Sequence, residues 1–231
     1  MRNMHSKRNI LITGANRGLG LGFVQHYLSL GDRVWATYRH DAAPLVRLDD
    51  VNCQPLHWDV TGPLHQTEIA KLPYSIDVLI NNAGIYGAKN GGQSLQEVTE
   101  EALMQVFNVN VVAPVKVVQF LLPRLQRGKA TIVNMGSKMG SVNDNSSGGA
   151  YAYRASKSAL CNVTKSMALD LQKDGIQALC LHPGWVRTDM GGESGLIDVE
   201  TSIAGLTSVI DRVEDYVPGS FVAYDGVSIP Y

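Results

Sequence analysis

Asn9-Ile10-Leu11-Ile12-Thr13-Gly14-Ala15-Asn16-Arg17-Gly18-Leu19-Gly20 is the stretch whose reading decides the fold. A short apolar run meets a glycine-rich turn, and a helical pattern from Gly18 to Leu30 follows, stopped by Gly31. Arg33 to Tyr38 then reads as a second strand, which completes a βαβ unit. The spacing Gly-x-x-x-Gly-x-Gly departs from the common Gly-x-Gly-x-x-Gly fingerprint. Its position between a strand and a helix still suits it to bring backbone N–H groups close to a pyrophosphate.

The alternation continues outward from this unit. A strand is expected near Cys53 to Trp58, a helix near Leu64 to Leu72, and a strand from Ile76 to Asn81. A long helix from about Val98 to Arg127, bent at Pro114, precedes a strand over Ala130 to Met135. A helix from about Ala150 to Lys173 leads to a strand over Ile176 to Leu181, and a last strand starts near Phe221. Strands alternating with helices predict an α/β fold, a Rossmann-type doubly wound parallel sheet of about seven strands with helices on both faces. Residues 1–231 are expected to form a single domain, because no linker-like stretch divides them. Ligands of such sheets bind at the carboxyl ends of the strands.

With 231 residues, 45% of them hydrophobic, and a net charge of −1, the chain has ample core and no basic field for nucleic acid. The basic start, Met1 to Arg8, is followed by too short an apolar run for a signal h-region. No later segment reads as long and apolar enough to span a bilayer. Three widely spaced cysteines, Cys53, Cys161 and Cys180, suggest reduced thiols and no metal site. These readings predict a cytoplasmic protein with no membrane or nucleic-acid partner.

The second informative stretch is Tyr153-Arg154-Ala155-Ser156-Lys157. On a helix, a four-residue separation puts phenol and ammonium on one face, about 5 to 6 Å apart at Cβ. A nearby cation favours the phenolate and is expected to draw the tyrosine down from its usual value of about 10, as acid–base chemistry at neutral pH requires. Ser137, just beyond the strand ending Val133-Asn134-Met135-Gly136, lies at the sheet end toward which Tyr153 is expected to point. Asn81-Asn82-Ala83-Gly84 closes another strand with small and amide residues that allow a flat cofactor near the backbone. Asn108 and Asn110 are two apart on the long helix, so only one can face inward. His182-Pro183-Gly184-Trp185-Val186-Arg187-Thr188-Asp189 forms a rigid turn in which His182 reads as structural.

At the adenosine end, the carboxylate that would accept from a ribose 2′-hydroxyl is missing after the second strand, where the sequence is Ala36-Thr37-Tyr38-Arg39. Arg39, with Arg17 in the glycine loop, is expected to clamp a 2′-phosphate, favouring NADP(H) over NAD(H). Asp41 falls after the strand end and ranks lower.

These motifs, in this order and over nearly the whole chain, resemble the short-chain dehydrogenase/reductase family, most closely its C-factor and Sniffer-like carbonyl reductases. The resemblance implies an NADPH-dependent oxidoreductase that reduces aldehydes or ketones. It makes Tyr153 the proton donor, Lys157 the ribose-holding residue that lowers the tyrosine pKa, Ser137 the carbonyl-positioning hydroxyl, and Asn110 the holder of a proton-relaying water. Gly14, Asn16, Arg17, Gly18, Leu19, Gly20, Arg39, Asp59, Val60, Asn82, Ala83, Gly84, Tyr153, Lys157, Pro183, Val186 and Thr188 would bind the cofactor. A homodimer or homotetramer is implied as well. The alternative within the same resemblance is an NADP(H)-binding signalling or scaffold protein with little essential catalysis. Two departures stand out. Ser137 and Tyr153 are 16 positions apart, longer than the family's usual gap, and Asn143 to Gly149 should border the substrate pocket. The segment Gly191-Gly192-Glu193-Ser194-Gly195 is short where relatives carry a lid, which implies an open pocket and broad substrate tolerance.

Overall fold

The computed structural model describes residues 7–88 and 91–231. Of the basic start, Met1 to Ser6 lie outside the described residues. Seven strands run in chain order: β1 (Asn9–Ile12), β2 (Arg33–Tyr38), β3 (Cys53–His57), β4 (Val78–Asn81), β5 (Thr131–Met135), β6 (Gln177–His182) and β7 (Phe221–Ala223). The helices are α1 (Gly18–Ser29), α2 (Ala43–Val46), α3 (Gln66–Ile69), α4 (Glu100–Phe107), α5 (Ala113–Leu121), α6 (Tyr151–Leu171) and α7 (Val199–Asp211). All strands pair in parallel, in the order β3-β2-β1-β4-β5-β6-β7. The order reverses between β1 and β4, which opens a crevice at their carboxyl ends.

Both faces of this sheet are covered, and the burial of single strands shows why. Ile10 and Ile12 face a layer built by Phe23, Val24 and Tyr27 of α1 and by Ile203, Leu206 and Ile210 of α7. Leu11, between them in sequence, points to the opposite layer, where Ala113, Val117 and Leu121 of α5 meet Met167, Ala168 and Leu171 of α6. A strand buried on both sides has no polar alternation, so Ile10 to Ile12 of β1 and Val78 to Ile80 of β4 read as continuous apolar runs.

The long helix expected over residues 98–127 is three pieces. Thr99 accepts from the Ala102 N–H and starts α4. A π-helical turn, Asn108–Val112, follows, then α5, then a 3₁₀ turn at Leu122–Arg124. Pro114 lacks an N–H, and its ring would clash with the carbonyl of Asn110 four residues earlier. The widened turn just before it accommodates the ring, and the expected bend becomes a π-bulge. The helix near Leu64 to Leu72 shrinks to the single turn α3, because Pro73 biases Leu72 away from the helical region. Ile76 lies outside β4 and forms an isolated parallel bridge with Leu125.

One expectation is corrected outright. Glu100–Arg124, 25 residues holding an 18-residue window of mean hydropathy 1.5, is long and apolar enough to cross a membrane by length and composition. In the fold, Val106, Ala113, Val117 and Leu121 of this stretch are buried. Its apolar character therefore serves at least partly to cover one face of the sheet.

The fold also pairs what the sequence separates. Cys161 on α6 and Cys180 on β6 are free, buried thiols with sulfurs 3.3 Å apart. A buried polar chain joins β4, β5 and α6: Asn81 Nδ2 donates to Asn134 Oδ1 (2.8 Å), and Asn134 Nδ2 donates to Thr164 Oγ1 (2.9 Å). Such a chain fixes the relative placement of the three elements that carry the site.

Candidate active site

The glycine-rich turn leaves β1 with Gly14 at φ 62° and Gly18 at φ 51°, both left-handed. A Cβ on Gly14 would lie 2.9 Å from Ala83 Cα, so the turn can press against the exit of β4 only as glycine. Three bonds lock this contact. Asn82 Nδ2 donates to the carbonyls of Thr13 (3.0 Å) and Gly14 (2.9 Å), and the Ala83 N–H donates to Thr13 Oγ1 (3.0 Å). The Gly14 N–H donates to Thr37 Oγ1 on β2 (3.2 Å). Gly20 packs so closely on Gly14 and Asn82 that it has no room for a side chain. The result is a cradle between β1 and β4 at the helix N-terminus, where a pyrophosphate fits.

At the other end of the crevice, α6 turns Tyr153, Ser156, Lys157, Leu160, Cys161 and Thr164 inward, one face at helical spacing. Ser137 follows β5, accepts from the Met139 N–H at 3.3 Å, and stands near enough to Tyr153 to act on its phenol. The turn after Ser137 lies flat on α6, since a Cβ on Gly140 would meet Lys157 at 2.7 Å and the Ser158 hydroxyl donates to the Gly140 carbonyl. Lys157 Nζ stands 5.6 Å from the centroid of the Tyr153 ring and donates to the Met135 carbonyl at 2.6 Å. Gly84 brings bare backbone close to Asn110 and Lys157: a Cβ there would lie 3.3 Å from Asn110 Oδ1 and 3.6 Å from Lys157 Nζ.

Electrostatics reverse one expectation. Burial pushes the Tyr153 phenol up to about 12, Ser137 pulls it part of the way back, and Tyr86 adds to the rise. Lys157 is not among the groups that act on the phenol here, and desolvation of the ring sets the direction. Burial also draws the Lys157 ammonium down to about 8, against smaller opposing effects of Cys180 and Cys161.

Asn110 is the inward asparagine of its pair, and Asn108 is exposed. Its amide holds the exit of β4 from both sides: Oδ1 accepts from the Ile85 N–H (2.9 Å), while Nδ2 donates to the Ile85 carbonyl (2.9 Å) and to Ser156 Oγ (3.0 Å). His182 is structural. Its Nδ1 accepts from the Lys138 N–H (3.2 Å), and burial lowers its pKa to about 4, with Lys138 acting in the same direction.

The residues expected around the adenosine are more dispersed. Asn16 Nδ2 donates to the Asp41 carbonyl (2.9 Å). Arg17 forms an exposed ion pair with Asp189 at 3.3 Å, tying the glycine loop to the turn after β6. Thr188 approaches the same loop, its Cγ2 3.6 Å from where a Cβ on Gly18 would stand. Arg39 is exposed beyond β2 and contributes to holding the Asp59 carboxyl low, after the larger effect of the Thr61 hydroxyl. The two arginines thus engage different carboxylates. Val60 and Val186 are buried, Leu19 packs on the core, and the Pro183 carbonyl accepts from Ser202 (2.6 Å).

Sequence reasoning missed three contributors. Tyr86 lies with its ring centroid 4.7 Å from that of Tyr153, and its place two residues past Gly84 was the available signal. The other two are hydroxyls: Thr13, just past β1, accepts from the Ala83 N–H, and Thr37 of β2 accepts from the Gly14 N–H, roles that no spacing announced.

A parallel sheet with a glycine cradle at its switch point and a Ser, Tyr and Lys cluster beside it defines a nucleotide-binding oxidoreductase architecture. A sequence profile described as short chain dehydrogenase matches residues 8–196, and the chain belongs to that family. C-signal of Myxococcus xanthus is 39% identical over 157 residues, 68% of this chain and 93% of that protein. The solved structure of carbonyl reductase Sniffer of D. melanogaster superposes with a TM-score of 0.88 at 35% identity, covering 98% of this chain and all of that one. An NADPH-bound carbonyl reductase from chicken fatty liver gives 0.89 at 33% identity, over 97% of this chain and 99% of that one.

Proposed function

We propose that this oxidoreductase reduces aldehydes or ketones to alcohols with NADPH. The observation that carries the reading is Lys157 Nζ 5.6 Å from the Tyr153 ring, with Ser137 near the same phenol and Gly84 beside Lys157. A bound reduced nicotinamide would supply the hydride. Tyr153 gives its proton to the carbonyl oxygen, and burial, by keeping the phenol protonated at neutral pH, suits it to donate. Ser137 orients that oxygen, a contribution of about 2 to 4 kcal/mol to the barrier if removed. Lys157 holds the ribose hydroxyls, and Asn110 shapes the path to Lys157. Gly14, Gly18 and Gly20 cradle the pyrophosphate, Asn82, Ala83 and Gly84 flank the nicotinamide ribose, and Pro183, Val186 and Thr188 hold the carboxamide. Arg39 reads a 2′-phosphate, and Arg17 joins it by leaving Asp189. A single cytoplasmic domain assembled as a homodimer or homotetramer completes the reading, with Asn143 to Gly149 bordering an open pocket.

The test is to titrate the purified protein with NADPH and NADH by fluorescence, then follow nicotinamide absorbance with a panel of aldehydes, ketones and diketones. Tight NADPH binding with turnover supports the proposal, and binding without turnover on any carbonyl overturns it. The likeness to C-signal favours one second reading, a dinucleotide-binding signalling protein. It predicts that Tyr153→Phe leaves the cellular role intact whereas changes at Arg17 or Arg39 do not.

A further inference from the structure

One guanidinium ties together the two ends of the loop between Ser137 and Tyr153. Arg154 Nη1 donates to the Met139 carbonyl (3.3 Å), two residues past Ser137. Its Nε donates to the Gly148 carbonyl (3.2 Å) and its Nη2 to Ser147 Oγ (2.8 Å), both just ahead of α6. The planar fork of arginine suits three acceptors spread this way, and an ammonium on a flexible stem does not.

The segment under this clamp is strained. Gly148, Gly149 and Ala150 have φ of 62°, 63° and 47°, three consecutive residues in the left-handed region. For Ala150, a residue with a Cβ, that conformation is unfavourable and persists only where its surroundings impose it. Ala150 is also the residue that caps α6, with no side-chain cap bond, and Tyr153 is the third residue of that helix. Any relaxation of the entry therefore rotates the turn that aims the phenol. Elsewhere the loop is anchored by the Lys138–Asp144 ion pair at 3.0 Å and by Ser141 Oγ on the Pro230 carbonyl at 2.6 Å, neither of which touches the strained residues.

We propose that Arg154 is a positioning residue for the reaction: by stapling Met139 to Ser147 and Gly148, it holds the left-handed entry of α6 and thereby the placement of Tyr153 relative to Ser137. This rests on the reductase reading, in which that pair handles the carbonyl oxygen. The long Ser137-to-Tyr153 loop then works as a braced wall.

The test compares Arg154→Met and Arg154→Lys with the parent in the full chain. With a carbonyl the parent turns over, Arg154→Met should lower kcat about 10- to 100-fold while the carbonyl KM and the NADPH Kd stay within about threefold. Arg154→Lys should fall between, and added guanidinium ion should partly restore Arg154→Met. Independently of turnover, ultraviolet titration of the Tyr153 phenol, with Tyr153→Phe subtracted, should move to higher pH in Arg154→Met as the phenol draws away from Ser137. A folded Arg154→Met with unchanged kcat or an unchanged phenol titration overturns the proposal. So does loss of NADPH binding in parallel with kcat, which indicates a merely structural role. A parent that reduces no carbonyl removes the reductase reading, and the phenol titration still decides whether Arg154 positions Tyr153.

Discussion

Lys157 Nζ lies 5.6 Å from the Tyr153 ring centroid yet donates its 2.6 Å hydrogen bond to the Met135 carbonyl. The four-residue spacing brings the two side chains together on α6 as helix geometry demands. The carbonyl at the end of β5, which no local pattern announces, then takes one of the ammonium protons. Both groups are buried, and burial moves each toward its neutral form, the phenol to about 12 and the ammonium to about 8.

Replacing Tyr153 with Phe removes the proton donor and little else, because the ring is buried against Tyr86. Turnover should fall about 10²- to 10⁴-fold, with NADPH affinity within a few-fold of the parent. Steady-state kinetics alongside fluorescence titration checks this, and retained turnover in a folded variant would reassign the donor.

Lys157 titrates near 8 in the fold against 10.5 in an unfolded chain. Between these values the unfolded state binds more protons, so this group's contribution to stability rises with pH over that window and is fully lost below about 8. Lys157→Met should therefore be more stable than the parent near pH 7, by up to about 3 kcal/mol before the Met135 carbonyl's lost partner is counted. Denaturant melts at pH 7 and pH 10 should show the advantage shrinking with pH.

His182 has the same sign in a lower window. Its folded pKa of about 4 lies below the unfolded 6.5, so its stabilisation is complete above about 6.5 and disappears as pH falls through 4. His182→Gln, which keeps an acceptor for the Lys138 N–H, should flatten the acid limb of the stability profile. The difference should reach about 3 kcal/mol between these limits, and an unchanged limb would assign acid sensitivity to other groups.

Gly14→Ala combines a left-handed φ of 62° with a Cβ 2.9 Å from Ala83 Cα. The expected outcome is at least tenfold weaker NADPH binding and a lower Tm, because the β1 turn must move away from β4. Gly31→Ala serves as the control: φ is 82° there with open space around it, so it carries backbone strain without the clash.

Arg39 is exposed beyond β2, and among the described residues its guanidinium forms no ion pair, unlike Arg17 with Asp189 at 3.3 Å. Arg39→Asp should weaken NADPH binding about 10- to 100-fold and leave NADH nearly unchanged. Equal losses for both nucleotides would show that the residue does not read the 2′-phosphate.

The sequence by itself determined the order of elements, the parallel sheet and the inward face of α6, because these follow from short apolar runs, the helical period of 3.6 residues and glycines between strand and helix. Tyr153 with Lys157 was legible for that reason, as was the glycine turn. Element boundaries near Pro73 and Pro114 were not, since the outcome depended on how neighbouring turns absorb a missing N–H. Only the tertiary structure decided that Tyr153 is pushed up rather than down, that Arg17 meets Asp189, that Cys161 meets Cys180, and that Arg154 braces the loop behind Ser137. Each of these depends on desolvation or on contact between residues remote in sequence or separated by an irregular loop, and neither is encoded in local spacing.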